Sequence, residues 1–281
     1  MKSRTVITLL VLDFLIAAVV VAVLYFQGTT EGLVNDLFGV LFVGLLPLLG
    51  GVNGLFIAGS WGGFKSAVGR ALIFLSLGLI SWALGTYLFS GVYNLLLHVE
   101  VPYPSIADVG YILALPLWAI GIVELSRATG AKYGLRSTGG KFLLFLIPLL
   151  IIVASYYLLV VVARGGSIPV SDSELLKLFF DFAYPLGDVI ILSLATLIYG
   201  LSLKFFGGVY KHAVYLILIG FGVLYFADFA FSYTTTLETF YPGDWVDLLF
   251  AAAMLLLSSG VALFDPKSAD PQTVNLSTST P

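Results

Sequence analysis

Long apolar runs dominate the chain, and short segments containing charged residues, glycine or proline separate them at regular intervals. A helix that crosses a membrane needs about 20 predominantly apolar residues. Runs of this length predict membrane helices over 5–26, 33–58, 71–92, 106–126, 142–163, 184–203, 212–233 and 245–264. We therefore expect an all-α bundle of eight transmembrane helices over 1–264, followed by a disordered cytoplasmic tail over 265–281.

The composition agrees with a bilayer environment. Hydrophobic residues make up 59% of the chain and charged residues only 10%, whereas soluble domains carry about a quarter charged residues. The net charge of -3 excludes a basic surface for nucleic acid. The absence of cysteine excludes disulfides, thiolate metal sites and thiol nucleophiles.

The distribution of basic residues predicts the orientation of the bundle. All Lys and Arg residues except Arg164 and Lys177 fall at the ends of the chain or in loops on one side of the predicted membrane. Because short basic loops remain in the cytoplasm, both termini are predicted to be cytoplasmic. The chain is thus predicted to be a multi-pass protein of the plasma membrane.

Three of the helices predicted to run inward begin in a similar way. Each has a Tyr-Pro pair, then an aspartate three to six residues after a proline of that segment, then a glycine 12 or 13 positions beyond the aspartate. Helix two carries a looser version, with Asp36 and Gly50, and Gly50 and Gly54 have a spacing that allows close helix packing. The pattern predicts four related helical hairpins. The aspartate and glycine pairs are Asp108 with Gly121, Asp188 with Gly200, and Asp247 with Gly260.

Helix capping explains part of this pattern. A carboxylate in the first turn of a helix stabilises it by about 0.3–1 kcal/mol. The stretch from Ser105 to Asp108 matches a capping box, the stretch from Asp244 to Asp247 matches a cap followed by an acid, and Pro185 suits the first position of a helix.

Two further aspartates are not explained by capping. Asp228 lies towards the C-terminal end of predicted helix seven, where the helix dipole disfavours a negative charge. Asp13 lies near the centre of helix one. An intramembrane carboxyl usually faces a polar partner or a water-filled cavity. For both residues, a functional role and a structural hydrogen bond between helices remain open.

A ligand pocket in the outer half of the bundle accounts for the polar residues together. We expect the pocket to accept a small molecule or a cation, because the predicted outer face is strongly acidic and would concentrate cations. The same acidity also follows from the segregation of basic residues to the inside. The predicted ligand-binding residues are Asp108, Asp188, Asp228, Tyr103, Tyr184 and Tyr225.

The sequence contains few residues in arrangements that are typical of an enzyme. The two histidines, His98 and His212, are predicted on opposite sides of the membrane and cannot share a metal ion. No lysine lies in the middle of a predicted helix, and none of the common catalytic motifs is present. We expect a protein that is not an enzyme, and the sequence identifies no cofactor.

The stretch Pro102-Tyr-Pro-Ser-Ile-Ala-Asp108-Val-Gly-Tyr111 resembles the multi-pass membrane region that precedes GGDEF diguanylate cyclase or histidine kinase domains in bacterial signalling proteins. Tyr184 to Asp188 and Ala227-Asp228 match later positions of the same pattern, and the resemblance covers about residues 30–264. It implies a region that perceives a signal and passes it to a cytoplasmic domain.

Nothing enzymatic follows Phe264, so a sensor of this kind is expected to act through a separate cytoplasmic signalling partner. The sequence therefore favours a stand-alone sensory or ligand-binding protein in contact with membrane lipids. A cation- or proton-coupled transporter and a structural membrane subunit remain the alternatives.

Overall fold

The computed structural model describes residues 3–99, 101–129, 138–162, 165–166, 175–202 and 210–268. All regular structure within these ranges is helical. We number the long helices α1 Ser3–Gln27, α2 Leu33–Ser60, α3 Ala67–Leu97, α4 Ile106–Thr129, α5 Thr138–Ser155 continued by Tyr156–Val162, α6 Leu175–Ser202, α7 Lys211–Thr236 and α8 Trp245–Ala262.

The helices have the dimensions and composition of membrane spans. In the described part of the chain, seven are long and apolar enough to cross a membrane, and α6 contains a shorter apolar stretch, Ala183–Ile198. The prediction of an all-helical, multi-pass protein is confirmed at this level.

Six helices contact one another in a closed series, in the order α2, α3, α4, α6, α7, α8 and back to α2. Helix α1 packs outside this ring against α8 and α2, and α5 packs outside it against α6 and α7. Most of the apolar surface of α1 and α5 is exposed, as at Leu15 and Phe145. Such a surface suits contact with lipid chains.

Hydrogen bonds between distant parts of the chain define the two ends of the bundle. At one end, Asn35 Nδ2 donates to the Pro242 carbonyl oxygen over 2.8 Å, which joins the starts of α2 and α8. We call this the acidic end, because Asp108 and Asp247 lie in the first turns of helices that begin there. The opposite, basic end carries Arg70 at the start of α3 and Arg127 at the end of α4.

Glycines allow α3 and α4 to pack closely. A Cβ atom on Gly110 would lie 2.6 Å from the Gly85 backbone nitrogen, so the two backbones are in direct contact. Further along the same pair, a Cβ on Gly78 would lie 2.3 Å from Trp118 Cδ1, and one on Gly121 would lie 2.8 Å from Leu75 Cγ. Only glycine fits these positions without displacing a neighbour.

The α7 and α8 pair repeats two of these contacts. A Cβ on Gly220 would lie 2.8 Å from Leu257 Cγ, and one on Gly260 would lie 2.6 Å from Ile217 Cγ1. The two contacts are three residues apart on each helix, as they are between α3 and α4. In both interfaces, a side chain of the first helix packs on a glycine of the second. Three residues further along the first helix, a glycine faces a side chain of the second.

The predicted role of the two glycines in helix two agrees with the structure. A Cβ on Gly50 would lie 2.2 Å from Ser258 Cβ of α8, and one on Gly54 would lie 2.1 Å from Ser76 Oγ of α3. Helix α2 therefore approaches its two neighbours in the ring through small residues.

Two π-helical segments lie next to each other near the acidic end. Gly39–Gly44 of α2 and Tyr87–Leu97 of α3 are wound more loosely than the α-helix around them. Their contact is close, because a Cβ on Gly39 would lie 2.0 Å from Ser90 Oγ. π-Helical turns are rare and occur frequently near functional sites.

Among the described residues, a cluster of apolar side chains inside the ring encloses a gap that is too small for a water molecule. The cluster lies between α3, α4, α7 and α8. The side chains that line the gap are Leu75, Leu79, Trp118, Ile217, Phe221, Leu257 and Val261.

The described residues include the first part of the predicted tail, up to residue 268. Asp265 is buried and accepts a 2.7 Å hydrogen bond from Ser3 Oγ, and Pro266–Ser268 form a short 3₁₀ turn. The hydrogen bond joins the first residue of the predicted tail to the start of α1. The remainder of the predicted tail, 269–281, lies outside the described residues.

Candidate functional site

Asp108 holds the start of α4 at the acidic end. Its Oδ2 accepts hydrogen bonds from the Ser105 backbone nitrogen over 2.6 Å and from Ser105 Oγ over 3.1 Å. Ser105 Oγ in turn accepts from the Ala107 nitrogen over 3.2 Å. The capping box predicted from the sequence is therefore present.

The same carboxyl also connects two helices. The Tyr184 hydroxyl of α6 donates a 2.6 Å hydrogen bond to Asp108 Oδ1, the oxygen that the cap leaves free. Asp108 is buried, with 8% of its surface exposed, and Tyr184 is half-buried. Asp108 thus caps its own helix with Oδ2 and contacts α6 with Oδ1.

Asp188 of α6 and Asp228 of α7 form a second polar link. Their side chains lie close enough to hydrogen-bond and to interact electrostatically, and both are half-buried. An ionised carboxylate has no hydrogen to donate, so a hydrogen bond between these two side chains forms only when one of them is protonated. Two aspartates from different helices therefore share one polar contact inside the bundle.

The sequence interpretation of Pro185 and Asp188 as the start of a helix is wrong. Helix α6 begins at Leu175, so Pro185 and Asp188 lie in its interior. The apolar residues from Leu175 onward extend the helix past the predicted boundary. Capping consequently does not explain Asp188, and its structural partner is Asp228.

Tyr225 turns towards the outside of the ring. Its hydroxyl lies 2.8 Å from Ser155 Oγ of α5, and the side chain is buried. Tyr225 is also close enough to Asp188 to interact with it electrostatically. It therefore links α7 to α5 next to the Asp188–Asp228 pair.

Tyr111 of α4 lies between the two polar links. It interacts electrostatically with Asp108, Asp228 and Asp247, and its hydroxyl lies 3.4 Å from Thr86 Oγ1 of α3. The ring of Tyr111 packs against Trp82 with centroids 5.4 Å apart. Tyr111 thus connects the Asp108 side of the cluster to the Asp228 side.

Asp247 extends the site to α8. Its Oδ2 accepts a 2.7 Å hydrogen bond from the Gly243 nitrogen, while Asp244 caps the same helix by accepting from the Val246 and Asp247 nitrogens. Asp244 lies outside the span and is 2% exposed, and burial raises its pKa to about 6. Two acids are therefore held side by side at the start of α8.

Tyr103 has a more peripheral place than the other predicted site residues. It is 46% exposed and lies near enough to Tyr184 to interact with it electrostatically. Asp13 lies on α1 near Tyr87, apart from the cluster. Its Oδ2 is buried and has no hydrogen-bond partner in the described part of the chain.

The structure thus connects the predicted residues through two links, Asp108 with Tyr184 and Asp188 with Asp228. We call these residues, with the members named above from other helices, the acid–phenol cluster. Carboxyl and hydroxyl groups of this kind can accept hydrogen bonds from a ligand, attract a cation and exchange a proton. The cluster comprises Asp108, Tyr111, Tyr184, Asp188, Tyr225, Asp228 and Asp247, with Tyr103 at its edge.

Sequence reasoning did not assign Thr86, Tyr111, Ser155 or Asp247 to the site. Tyr111 ends the quoted proline- and aspartate-containing stretch, and Asp247 is the third aspartate of the hairpin pattern, so both had a usable signal. Thr86 and Ser155 had none, because a single hydroxyl in an apolar helix does not indicate which neighbour it faces.

Comparison with known proteins identifies no relative. No protein-family model matches the chain, and neither a curated protein nor a solved structure matches it.

Proposed function

We propose that the chain is a sensory or ligand-binding protein of the plasma membrane, with the acid–phenol cluster as its recognition site. The observation that carries the proposal is the pair of links Asp108–Tyr184 and Asp188–Asp228, which joins α4, α6 and α7 through side chains that can also bind a ligand. A ligand that competes for these groups changes the contacts between the three helices.

The ligand class follows from the chemistry of the cluster. Carboxyl and phenol oxygens favour a cation or a small molecule that donates hydrogen bonds. Asp188 and Asp228 are both half-buried. We propose that the ligand enters from the acidic end, which the distribution of basic residues assigns to the outside.

We further propose that the bundle consists of two related halves, α1–α4 and α5–α8. The paired glycine contacts of α3 with α4 and of α7 with α8 support this, as does the spacing of Asp108 before Gly121 and of Asp247 before Gly260. In the ring, α2 contacts α8 as α6 contacts α4. Equivalent hairpins packed in this way can change their relative position as rigid units.

Output is proposed to occur at the basic end, through a cytoplasmic signalling partner. Ligand binding shifts the equilibrium between two arrangements only if the ligand contacts them differently. The contacts Asp108–Tyr184 and Asp188–Asp228 both involve α6, so movement of α6 against α4 and α7 is the proposed change.

Thermal unfolding in detergent, with a panel of alkylamines, amino acids and group 1 and group 2 cations, tests the proposal. At least one compound is expected to raise the Tm of the wild type and to have a smaller effect on Asp228→Asn. Glu31→Gln is the matched control, because it removes an exposed carboxylate at the same end of the bundle. Equal Tm shifts in the wild type and Asp228→Asn for every stabilising compound would exclude the cluster as the site.

A proton-coupled transporter is the second candidate, and the proximity of Asp188 and Asp228 favours it, because two neighbouring carboxyls inside a bundle can exchange a proton. The close apolar packing around Trp118 and Phe221, within the described part of the chain, counts against a continuous polar path there. Proteoliposomes containing a pH-sensitive dye separate the two functions. Proton flux driven by a panel compound would establish transport, whereas binding without flux supports the sensor.

A further inference from the structure

A buried carboxylate holds two arginines in place at the basic end. Glu124, near the end of α4, is 7% exposed. Its Oε2 accepts a 2.9 Å hydrogen bond from Arg70 Nε of α3, and its Oε1 accepts one from Arg127 Nη1. One acid thus orients two guanidinium groups from adjacent helices.

Both guanidinium groups retain hydrogen-bond donors. Arg70 uses Nε for Glu124 and Nη1 for the Phe64 carbonyl oxygen, while Arg127 uses Nη1 alone. An arginine carries five N–H donors, so most of those on Arg127 have no partner among the described residues. The Arg127 side chain is 59% exposed and that of Arg70 is 32% exposed, so neither guanidinium group is enclosed by the described residues.

The charge balance of this cluster is positive. Two arginines share a single carboxylate, and Lys65 follows Phe64 in the adjoining loop. A guanidinium group binds a phosphate through two parallel N–H bonds, which a lysine does not reproduce. Because Glu124 has already restricted both arginine side chains, an anion that binds them loses little additional side-chain freedom.

Apolar side chains adjoin the arginines. Phe64 is 65% exposed, and its ring lies 6.3 Å from that of Phe74 of α3. Arg127 lies at the end of the span Ile106–Ala128, and Arg70 at the beginning of Ala67–Leu97. Because the ends of membrane spans lie near the lipid headgroups, we expect the positive cluster at that depth, with the aromatic surface of Phe64 and Phe74 next to it.

We propose that Arg70 and Arg127, positioned by Glu124, bind the phosphodiester of an acidic phospholipid in the membrane leaflet at the basic end. Free phosphate offers the same anionic oxygens, but it has no chain to cover Phe64 and Phe74. The site is distinct from the acid–phenol cluster and does not depend on the function proposed for that cluster.

Native mass spectrometry and thermal unfolding of the full chain in a neutral detergent, titrated with phosphatidylglycerol, test this site. The wild type is expected to bind phosphatidylglycerol and gain Tm, with a much smaller response to phosphatidylcholine or to inorganic phosphate. Arg127→Gln is expected to weaken the apparent affinity for phosphatidylglycerol about fivefold, since one basic residue contributes about that factor at an anionic surface. Arg127→Lys is expected to retain more affinity for phosphatidylglycerol than Arg127→Gln but less than the wild type, because lysine keeps the charge and lacks the planar guanidinium group.

Lys267→Gln is the control, because it removes one exposed basic charge at the same end of the bundle. It is expected to retain most of the affinity for phosphatidylglycerol. Full affinity in Arg127→Gln, or an equal loss in Lys267→Gln, would overturn the site. A Tm gain with inorganic phosphate that equals the gain with phosphatidylglycerol would assign the cluster to a soluble anion and would overturn the lipid proposal.

Discussion

Tyr184 of α6 donates a 2.6 Å hydrogen bond to Asp108 of α4, whose other carboxyl oxygen already caps its own helix. The cap fixes the position of the carboxyl, so Tyr184 meets an acceptor that is oriented in advance. A ligand that takes the place of Tyr184 would leave the start of α4 intact and release only the contact with α6. This separation allows a binding event to alter helix packing without unfolding a helix.

Tyr184→Phe is expected to destabilise the bundle through the loss of this hydrogen bond. Bonds of this type between membrane helices contribute about 0.6 kcal/mol on average and up to about 1.7 kcal/mol. We expect a value towards the upper end, because the acceptor is a buried carboxyl. Unfolding in mixed micelles measures the change. Tyr156→Phe, which removes a hydroxyl from an exposed side chain of α5, is the control and should leave stability unchanged.

Replacement of Asp188 should distinguish a shared proton from a simple charge effect. Asn retains a donor and an acceptor for Asp228, so Asp188→Asn is expected to keep the fold close to wild-type stability. Asp188→Ala leaves Asp228 without its partner and is expected to cost about 1–3 kcal/mol. Chemical denaturation measures both changes. Equal losses in Asn and Ala would show that the carboxyl charge, and not the hydrogen bond, supports the contact.

The close contact of α3 with α4 predicts a large effect of a single methyl group. In Gly110→Ala, the new Cβ would lie 2.6 Å from the Gly85 nitrogen, so one backbone must move. Such overpacking costs about 1–3 kcal/mol. Gly222→Ala on α7 is the matched control, because a Cβ added there would meet no atom within 4 Å. It should be neutral or raise stability by up to about 1 kcal/mol, as measured by Tm.

The raised pKa of Asp244 predicts how the stability of the protein changes with pH. Burial raises its pKa from 3.8 to about 6, so the folded protein binds a proton more tightly than the unfolded chain. The resulting stabilisation is fully present below pH 3.8 and is lost as the pH rises through 6, by up to about 3 kcal/mol. Asp244→Asn keeps the cap but not the titration. The slope of Tm against pH between 5 and 7 should therefore be smaller in this variant.

The lowered pKa of Asp265 predicts the opposite pH dependence of stability. Burial acts to raise its pKa, but the hydrogen bond from Ser3 and the contacts with Lys267 outweigh this and lower it. Its contribution to stability is present above pH 3.8 and is lost as the pH falls through the lowered pKa. Ser3→Ala should reduce this acid sensitivity, which Tm measurements between pH 2 and 5 would detect. An unchanged acid limb in Ser3→Ala would contradict the assignment.

The positions of the membrane helices could be predicted from the sequence because hydropathy along the chain reports burial in lipid directly. The start of α6 could not, since Lys177 and Asp181 interrupt the apolar pattern within the helix. The aspartates were recognisable as unusual, because a carboxyl inside a membrane needs a partner. Which side chains these aspartates meet depends on how each helix is rotated about its own axis. The sequence around Tyr184 and Asp228 does not specify that rotation.

Infrared difference spectroscopy of protein labelled with ¹³C-aspartate tests most directly whether the acid–phenol cluster is the recognition site. The measurement compares the wild type before and after addition of the panel compound that raises its Tm most. We predict a change in the carboxylic acid band of a protonated aspartate in the wild type, and no such change in Asp228→Asn. A band that the compound leaves unaltered in the wild type, or alters equally in Asp228→Asn, would contradict recognition at Asp188 and Asp228.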